Sequence, residues 1–217
     1  MNVFIIGGTS GLGLEIGKLF LEKGAQVYAT GRKELNITEN LDQLIEDLNE
    51  KVSSLPTIDL FIYAAGFLEK GHIGELSDAH IAQMINVGLT APALILERLL
   101  KKQKHLEGFI AITSTSQWIP RELEPVYTGV KAGLAMLAQS VSFDPNIKKT
   151  LVVGPAGMNT EFWTNSDRDV SALLSPKWVA EQILKLWVDN YIYRLTRILR
   201  DPTPEAERVQ IIETRFE

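Results

Sequence analysis

The sequence predicts an α/β fold in which a parallel β-sheet lies between two layers of helices. Short β-rich runs and helix-like runs alternate from the first residues onward, and two of the β-rich runs, 58–64 and 108–113, are almost continuously apolar. Strands that are apolar throughout are typical of parallel sheets covered on both faces. Regular β-α-β alternation therefore predicts right-handed crossovers and a doubly wound, three-layer α/β/α arrangement.

Length and composition favour one ordinary globular domain. The chain has 217 residues, of which 45% are hydrophobic and 23% are charged. A chain of this length can bury a core without disulfides or structural metal. We expect residues 1–217 to form a single domain, with 191–217 as an atypical C-terminal extension.

The elements follow from the spacing of apolar residues and from helix-stop residues. In the first helix Leu12, Ile16 and Phe20 share one face, and Gly24 stands at the stop position. Pro92 falls inside the longest helix, which we expect to bend there. The expected strands are 2–6, 26–30, 35–38, 58–64, 108–113 and 151–153, and the expected helices are 12–23, 41–48, 76–100, 126–141 and 177–189. Two further strand-like runs, 191–199 and 208–214, predict a hairpin or an added edge strand.

Several classes of function are disfavoured by the composition. The chain has no cysteine, and its three histidines share no metal-ligand spacing, so we expect neither disulfides nor a metal site. A net charge of −5 without a large basic face argues against nucleic acid as a partner. No run of about 18 apolar residues is evident, so we expect no membrane span, and no signal peptide pattern is evident, so we expect a cytoplasmic chain.

A glycine-rich turn joins the first strand to the first helix, and its residues are Gly7, Gly8, Thr9, Ser10, Gly11, Leu12 and Gly13. Gly7 allows a tight turn, Gly11 lets the backbone approach a diphosphate, and Gly13 lets the helix lie close to the sheet. The amino end of a helix offers free amide donors to phosphates. The spacing G-x-x-x-G-x-G also fits a purely structural turn, but its place between strand and helix favours the dinucleotide site of a Rossmann-like fold.

The end of the second strand indicates which dinucleotide is bound. In such folds an acidic residue about 20 positions beyond the glycines binds the ribose 2′-hydroxyl of NAD. Here Arg32 and Lys33 follow the strand, and we find no carboxylate where NAD would need it. Arg32 can pair with a 2′-phosphate through its planar fork, and Lys33 can add a charge. We therefore predict NADP(H) in preference to NAD(H), the alternative being that both cations are a solvated strand end.

Motifs in a fixed order over residues 1–190 resemble those of the short-chain dehydrogenase/reductase family. Besides the glycine turn they are the Tyr63-Ala64-Ala65-Gly66 stretch, Asn86 in the long helix, Ser114 after a buried strand, Tyr127-x-x-x-Lys131, and Pro155 to Thr160 after the next strand. The sequence departs from the family where Ala64 replaces an Asn, Ala156 replaces a Gly, and Asn36 stands where an adenine-contacting Asp is common. The tail does not display the family's final strand.

A candidate catalytic group is formed by Ser114, Tyr127 and Lys131. Hydride transfer to a carbonyl leaves an alkoxide that needs a proton, and tyrosine can supply it if a nearby cation lowers its pKa from about 10. Tyr127 and Lys131 share one helix face, so we expect Tyr127 to act as general acid in reduction and general base in oxidation. Ser114 is expected to polarise the substrate oxygen, with Thr113, Thr115 and Ser116 as alternatives. The resemblance implies that Lys131 also binds the nicotinamide ribose.

The resemblance implies further contacts. Asn86 would bend the helix and hold a water that relays protons to Lys131, although a solvated polar position is the alternative. Thr160 would contact the nicotinamide carboxamide, or cap a helix. Cofactor contacts are expected from Thr9, Ser10, Leu12, Ala64, Ala65, Gly66 and Pro155. Trp118, Met158, Phe162 and Trp163 are expected over the nicotinamide, where they would line a partly apolar substrate site or pack a lid or a subunit contact.

The sequence thus predicts an oxidoreductase that moves a hydride between NADP(H) and a small carbonyl or alcohol. The family implies a homodimer or homotetramer, with contacts near Leu94 and Leu134. An NADP(H)-binding regulator with little turnover is the alternative, which has no need of Ser114, Tyr127 and Lys131 together. A nucleotide-sugar epimerase or dehydratase would need an extra substrate domain, for which the chain leaves little room.

Overall fold

The computed structural model describes residues 1–35, 37, 40–163 and 170–216, with Trp163 described by its backbone alone. Its centre is one seven-stranded sheet in the order β2-β1-β3-β4-β5-β6-β7. The strands are β1 (Asn2–Ile6), β2 (Gln26–Thr30), β3 (Leu60–Tyr63), β4 (Gly108–Ile112), β5 (Thr150–Pro155), β6 (Tyr193–Ile198) and β7 (Val209–Arg215). All neighbouring pairs are parallel except β6 and β7. The predicted doubly wound α/β fold is confirmed.

Alternate residues of the central strands enter two separate cores, one on each face of the sheet. Phe4 and Ile6 of β1 pack on one face, whereas Val3 and Ile5 pack on the other. The helices are α1 (Gly11–Glu22), α2 (Leu41–Ser54), α3 (Asp78–Ile85), α4 (Ala91–Gln103), α5 (Pro125–Val141) and α6 (Pro176–Val188). Residues of α2, α4 and α5 cover the first face, and residues of α1 and α6 cover the second. This double burial explains why the strands are apolar throughout.

The long predicted helix is interrupted before Pro92, at a π-helical turn over Asn86–Thr90 that joins α3 to α4. Pro92 lies in the first turn of α4, directly after the π-helical turn, so the helix is irregular beside the residue where the bend was expected. The buried hydroxyl of Tyr63 donates to the carbonyl oxygen of Val87 within this turn. A Cβ on Gly88 would overlap the side chain of Val130, so the turn lies directly against α5.

The continuous helical stretch Asp78–Gln103 is more apolar than the sequence analysis indicated. It has 26 residues and, by length and composition alone, is apolar enough to cross a membrane. In the fold 44% of its most apolar window is buried against the rest of the chain. A core helix meets the same criterion, and buried residues such as Ile95 and Leu99 account for its apolar composition.

One edge of the sheet differs from what the sequence pattern indicated, and at the other edge the predicted hairpin is confirmed. Of the predicted strand 35–38, Leu35 lies in a bend and Ile37 in an irregular segment; both are buried, while Asn36 and Thr38 lie outside the described residues. At the other edge β6 runs parallel to β5, so it supplies the final parallel strand that the pattern did not reveal. β7 then turns back antiparallel to β6 as a hairpin.

Candidate active site

A cavity of about 710 Å³ lies at the carboxyl ends of the parallel strands. It spans the point where the chain places β2 on one side of β1 and β3 on the other, which is where open α/β sheets bind ligands. Every residue predicted to contact the dinucleotide lines it: Gly7, Thr9, Ser10, Gly11, Leu12, Gly13, Arg32, Lys33, Ala64, Ala65, Gly66, Tyr127, Lys131, Pro155 and Thr160.

The glycine turn has no room for side chains on its wall of the cavity. Gly7 adopts a φ of +78°, and a Cβ there would lie 2.8 Å from the backbone nitrogen of Ala65. A Cβ on Gly13 would overlap the carbonyl oxygen of Gly7. Ser10 stands at the N-cap of α1 but makes no side-chain cap hydrogen bond, so it does not occupy the first amides of the helix. These features leave backbone donors available to a diphosphate.

The end of β2 carries an acid that sequence reasoning missed. Arg32 and Lys33 are exposed on the cavity wall as expected, but Glu34 also lines it and accepts a hydrogen bond from the Gly31 N–H at 2.8 Å. The expectation that no carboxylate stands at this end is therefore corrected. Two signals were present in the sequence: Glu34 lies about 20 positions beyond the glycine turn, and Gly31 and Glu34 have the spacing of a capping box.

Ser114 lies just beyond β4 and begins a tight 3₁₀ turn, Thr115–Gln117. Its hydroxyl accepts from the Ser116 N–H at 3.1 Å and donates to the Ser116 hydroxyl at 3.2 Å, and hydrogen bonding with Ser114 lowers the pKa of Tyr127. The alternative Thr113 is occupied in the sheet, since its hydroxyl donates to the Val153 carbonyl at 3.1 Å. Thr113, Thr115 and Ser116 also line the cavity, but Ser114 is the hydroxyl that reaches Tyr127.

Tyr127 and Lys131 come together on α5, one helical turn apart. The Lys131 Nζ lies 5.7 Å from the centroid of the Tyr127 ring and donates to the Ile112 carbonyl at 3.2 Å. Burial lowers the pKa of Lys131 to about 8. Burial also raises the pKa of Tyr127; the hydrogen bond with Ser114 opposes this shift, and the negative charge of Glu124 adds to it. Both groups are therefore biased toward their neutral forms, which a cationic ligand beside the phenol would counteract for Tyr127.

Asn86 is buried at the first position of the π-helical turn and does not line the cavity. Its position at the helix interruption matches the bend that the resemblance implies. The water relay stays a prediction.

The residues predicted to contact substrate divide into two sets. Met158 and Phe162 line the cavity, and the Phe162 ring lies 6.2 Å from the Tyr127 ring between centroids. Trp118 does not line it, because its ring packs over Gly154 and faces the guanidinium of Arg197 at 5.7 Å. The side chain of Trp163 lies outside the described residues.

Among the further residues that line the cavity and that no motif singled out are Phe67, Gln83, Arg121 and Glu124. They come from the loop after β3, from α3 and from the loop before α5. No common spacing connects these segments in the sequence, so only the fold brings them together. Arg121 and Glu124 add a cation and an anion to the cavity wall.

Comparison with known proteins identifies dehydrogenases and reductases as relatives of this chain. The family model described as short chain dehydrogenase matches residues 35–171. The uncharacterized oxidoreductase YvrD of Bacillus subtilis is 26% identical over 64% of this chain, a match that spans 61% of that relative, which is less than two thirds of its length. Benzil reductase ((S)-benzoin forming) of Bacillus subtilis is 25% identical over 86% of this chain and 93% of the relative.

Solved structures share the fold. A short-chain dehydrogenase/reductase of Vibrio parahaemolyticus has a TM-score of 0.72 and 25% identity, covering 86% of this chain and 93% of that one. A short-chain dehydrogenase of Sphingobium yanoikuyae in complex with NADPH has a TM-score of 0.75 and 18% identity, and the match covers 95% of this chain and 90% of that one. A 4-hydroxyisoleucine dehydrogenase complexed with NADH has a TM-score of 0.73 and 22% identity, and the match covers 87% of this chain and 91% of that one. Proteins of this fold thus bind either dinucleotide.

Proposed function

Because the chain belongs to the short-chain dehydrogenase/reductase family, we propose that it transfers a hydride between NADP(H) and a small carbonyl or alcohol substrate. One observation carries the proposal. Ser114, Tyr127 and Lys131 lie on the wall of the same cavity as the glycine turn. A hydroxyl, a phenol and an ammonium group beside a dinucleotide site supply what carbonyl reduction needs besides the hydride.

The residues present fit a dinucleotide. The turn from Gly7 to Gly13 lines the cavity, and it includes the amino end of α1, where Ser10 makes no side-chain cap hydrogen bond. Arg32 and Lys33 would hold a 2′-phosphate, Lys131 the nicotinamide ribose, and Thr160 the nicotinamide carboxamide. When bound, NADP(H) supplies or accepts the hydride.

The side chains of the chain itself would handle the proton. Ser114 would donate a hydrogen bond to the substrate oxygen and hold it beside Tyr127. Tyr127 would give its proton to that oxygen in reduction and take one from the alcohol in oxidation. The ammonium form of Lys131 would stabilise the resulting phenolate.

A partly apolar substrate fits the other wall. Phe67, Met158 and Phe162 present apolar surface to the cavity near Tyr127. One relative is named for reducing benzil, an apolar carbonyl compound, which supports a partly apolar carbonyl substrate for this chain.

The proposal is tested by mixing the chain and NADPH with a panel of aldehydes, ketones and quinones and following the loss of NADPH absorbance. We expect turnover with at least one partly apolar carbonyl compound. The contradicting result would be tight NADPH binding with no turnover of any carbonyl class, and none of the matching alcohols with NADP⁺. That result would contradict the proposed enzymatic activity and support the alternative, a redox-sensing regulator.

Cofactor preference can be changed in opposite directions at the end of β2. Arg32→Ala should weaken NADPH binding about tenfold and leave NADH binding nearly unchanged, because only the 2′-phosphate needs the guanidinium. Glu34→Gln should strengthen NADPH binding, because it removes a negative charge beside that phosphate. Fluorescence titration with both cofactors measures each effect. Tighter binding of NADH than of NADPH by the unmodified chain would overturn the preference and assign Glu34 to the ribose hydroxyls.

We propose a homodimer or homotetramer, with one change to the expected contact. Leu134, expected near the dimer interface, is completely buried in the core of its own chain. Met136 is the apolar residue that α5 exposes, at 61%. An α5 contact between subunits would therefore involve Met136 rather than Leu134.

A further inference from the structure

Glu124 occupies an unusual position for its residue type. It stands at the N-cap of α5, where Ser, Thr, Asp and Asn are the residues that satisfy free amides, and its side chain makes no cap hydrogen bond. Instead Glu124 lines the cavity, one helical turn before Tyr127. Capping therefore does not account for this carboxylate.

Charged side chains from three segments line the cavity together with Tyr127. Lys131 faces the phenol from α5, Arg121 lines the cavity from the loop before α5, and Glu161 lines it from the loop after β5. In the part of the chain that the structure describes, neither Arg121 nor Glu124 belongs to an ion pair. Burial raises the pKa of Tyr127, and the negative charge of Glu124 raises it further.

We propose that Glu124 is a positioning residue of the active site, whose carboxylate stabilises the protonated phenol of Tyr127 from the cavity wall. The inference rests on the proposed function, since it assigns a role toward the proton that Tyr127 transfers. In reduction the hydride goes to the carbonyl carbon and the phenol proton to the oxygen, giving the alcohol and a phenolate that regains a proton from water. Glu124 touches neither substrate nor cofactor in this scheme; it sets how readily the phenol gives up its proton.

The consequence is a shift between the two directions of the reaction. Reduction needs the protonated phenol and oxidation needs the phenolate. A negative charge that favours the phenol keeps reduction at full rate to higher pH, and it moves the onset of alcohol oxidation to higher pH. Removing that charge has the reverse effect on the pH dependence of both reduction and oxidation.

The experiment is the pH–rate profile of Glu124→Gln in both directions. We expect the midpoint of alcohol oxidation to fall by about half a pH unit, so that oxidation below the midpoint becomes about threefold faster. The difference should shrink at high salt, because the carboxylate is half-exposed and salt screens it. Glu124→Asp should keep most of the wild-type profile, since it keeps the charge.

Glu122→Gln is the matched control, since Glu122 is exposed on the same loop and does not line the cavity. It should leave the profile unchanged. An unchanged profile for Glu124→Gln, or an equal shift for Glu122→Gln, would overturn the inference. A carboxylate that only stabilised the amino end of α5 would lower the melting temperature when removed and leave the profile where it was.

A second measurement does not depend on turnover. The ultraviolet absorbance of the Tyr127 phenolate, taken as the difference from Tyr127→Phe, can be titrated with pH in the NADP⁺ complex. Its midpoint should also fall in Glu124→Gln. If the midpoint falls while no carbonyl compound is reduced, the inference stands and the proposed activity fails; if turnover is present and the midpoint does not move, the inference alone fails.

Discussion

Tyr127→Phe is expected to reduce turnover at least about a thousandfold, because it removes the proton donor and leaves the rest of the site in place. The change deletes one hydroxyl and keeps the ring that packs beside Phe162. Ser114 and Lys131 stay on the cavity wall, so a hydride could still be delivered, but the alkoxide would have to take its proton from water. The measurement is NADPH oxidation under saturating substrate, compared with the unmodified chain.

Cofactor binding and folding separate this loss from damage to the structure. NADPH affinity should change less than about threefold, because the glycine turn and Arg32 would hold the cofactor's phosphates. The melting temperature should stay within a few degrees, since the hydroxyl faces a cavity. Tyr28→Phe is the matched control: the Tyr28 hydroxyl bonds Gln26 on β2, away from the cavity, so its removal should leave turnover unchanged. Near-normal turnover of Tyr127→Phe would exclude the phenol as the proton donor.

The sequence predicted the fold and most of the cavity wall because both depend on local patterns. Runs such as 58–64 are apolar throughout only when both faces of a strand are buried, and that property leads directly to a parallel sheet. In such a sheet the carboxyl ends of the strands share one edge. Residues that follow the strands, among them the glycine turn, Arg32, Gly66, Ser114 and Pro155, must therefore meet at one crevice, and they do.

What the sequence did not predict depends on where individual side chains turn. Glu34 was not singled out in the sequence, but in the structure its carboxylate turns back to accept from the Gly31 N–H. Trp118 follows Ser114 closely, but the missing side chain of Gly154 leaves a space on β5 that its ring occupies. Leu35 is apolar like a strand residue, yet it enters the core from a bend. For Trp118 and Leu35 the choice is made by packing against residues far away in the sequence, which periodicity does not encode, whereas Glu34 is held by a bond to a residue three positions away.

Gly13→Ala is expected to abolish NADPH binding and to destabilise the chain by about 3 kcal/mol. A Cβ at this position would overlap the carbonyl oxygen of Gly7 and lie 2.8 Å from its carbonyl carbon and 3.1 Å from the Gly8 Cα. These are backbone atoms of the turn that faces the diphosphate site, so no rotamer change can relieve the overlap. The first turn of α1 must move away from the sheet, which removes its amides from the place where a phosphate would lie. Thermal unfolding and NADPH titration measure the two effects.

Gly17→Ala on the same helix separates this overlap from the general effect of adding a methyl group. A Cβ on Gly17 would lie 3.5 Å from Ile5 Cδ1 and 3.6 Å from Val27 Cγ1, which is ordinary packing contact. Alanine also favours a helix interior over glycine by about 1 kcal/mol, so this variant should be as stable as the unmodified chain or more stable, with unchanged NADPH affinity. Equal losses in both variants would trace the effect to α1 as a whole. Normal NADPH binding by Gly13→Ala would mean that the diphosphate does not use this turn, and the dinucleotide site would have to be placed elsewhere on the sheet.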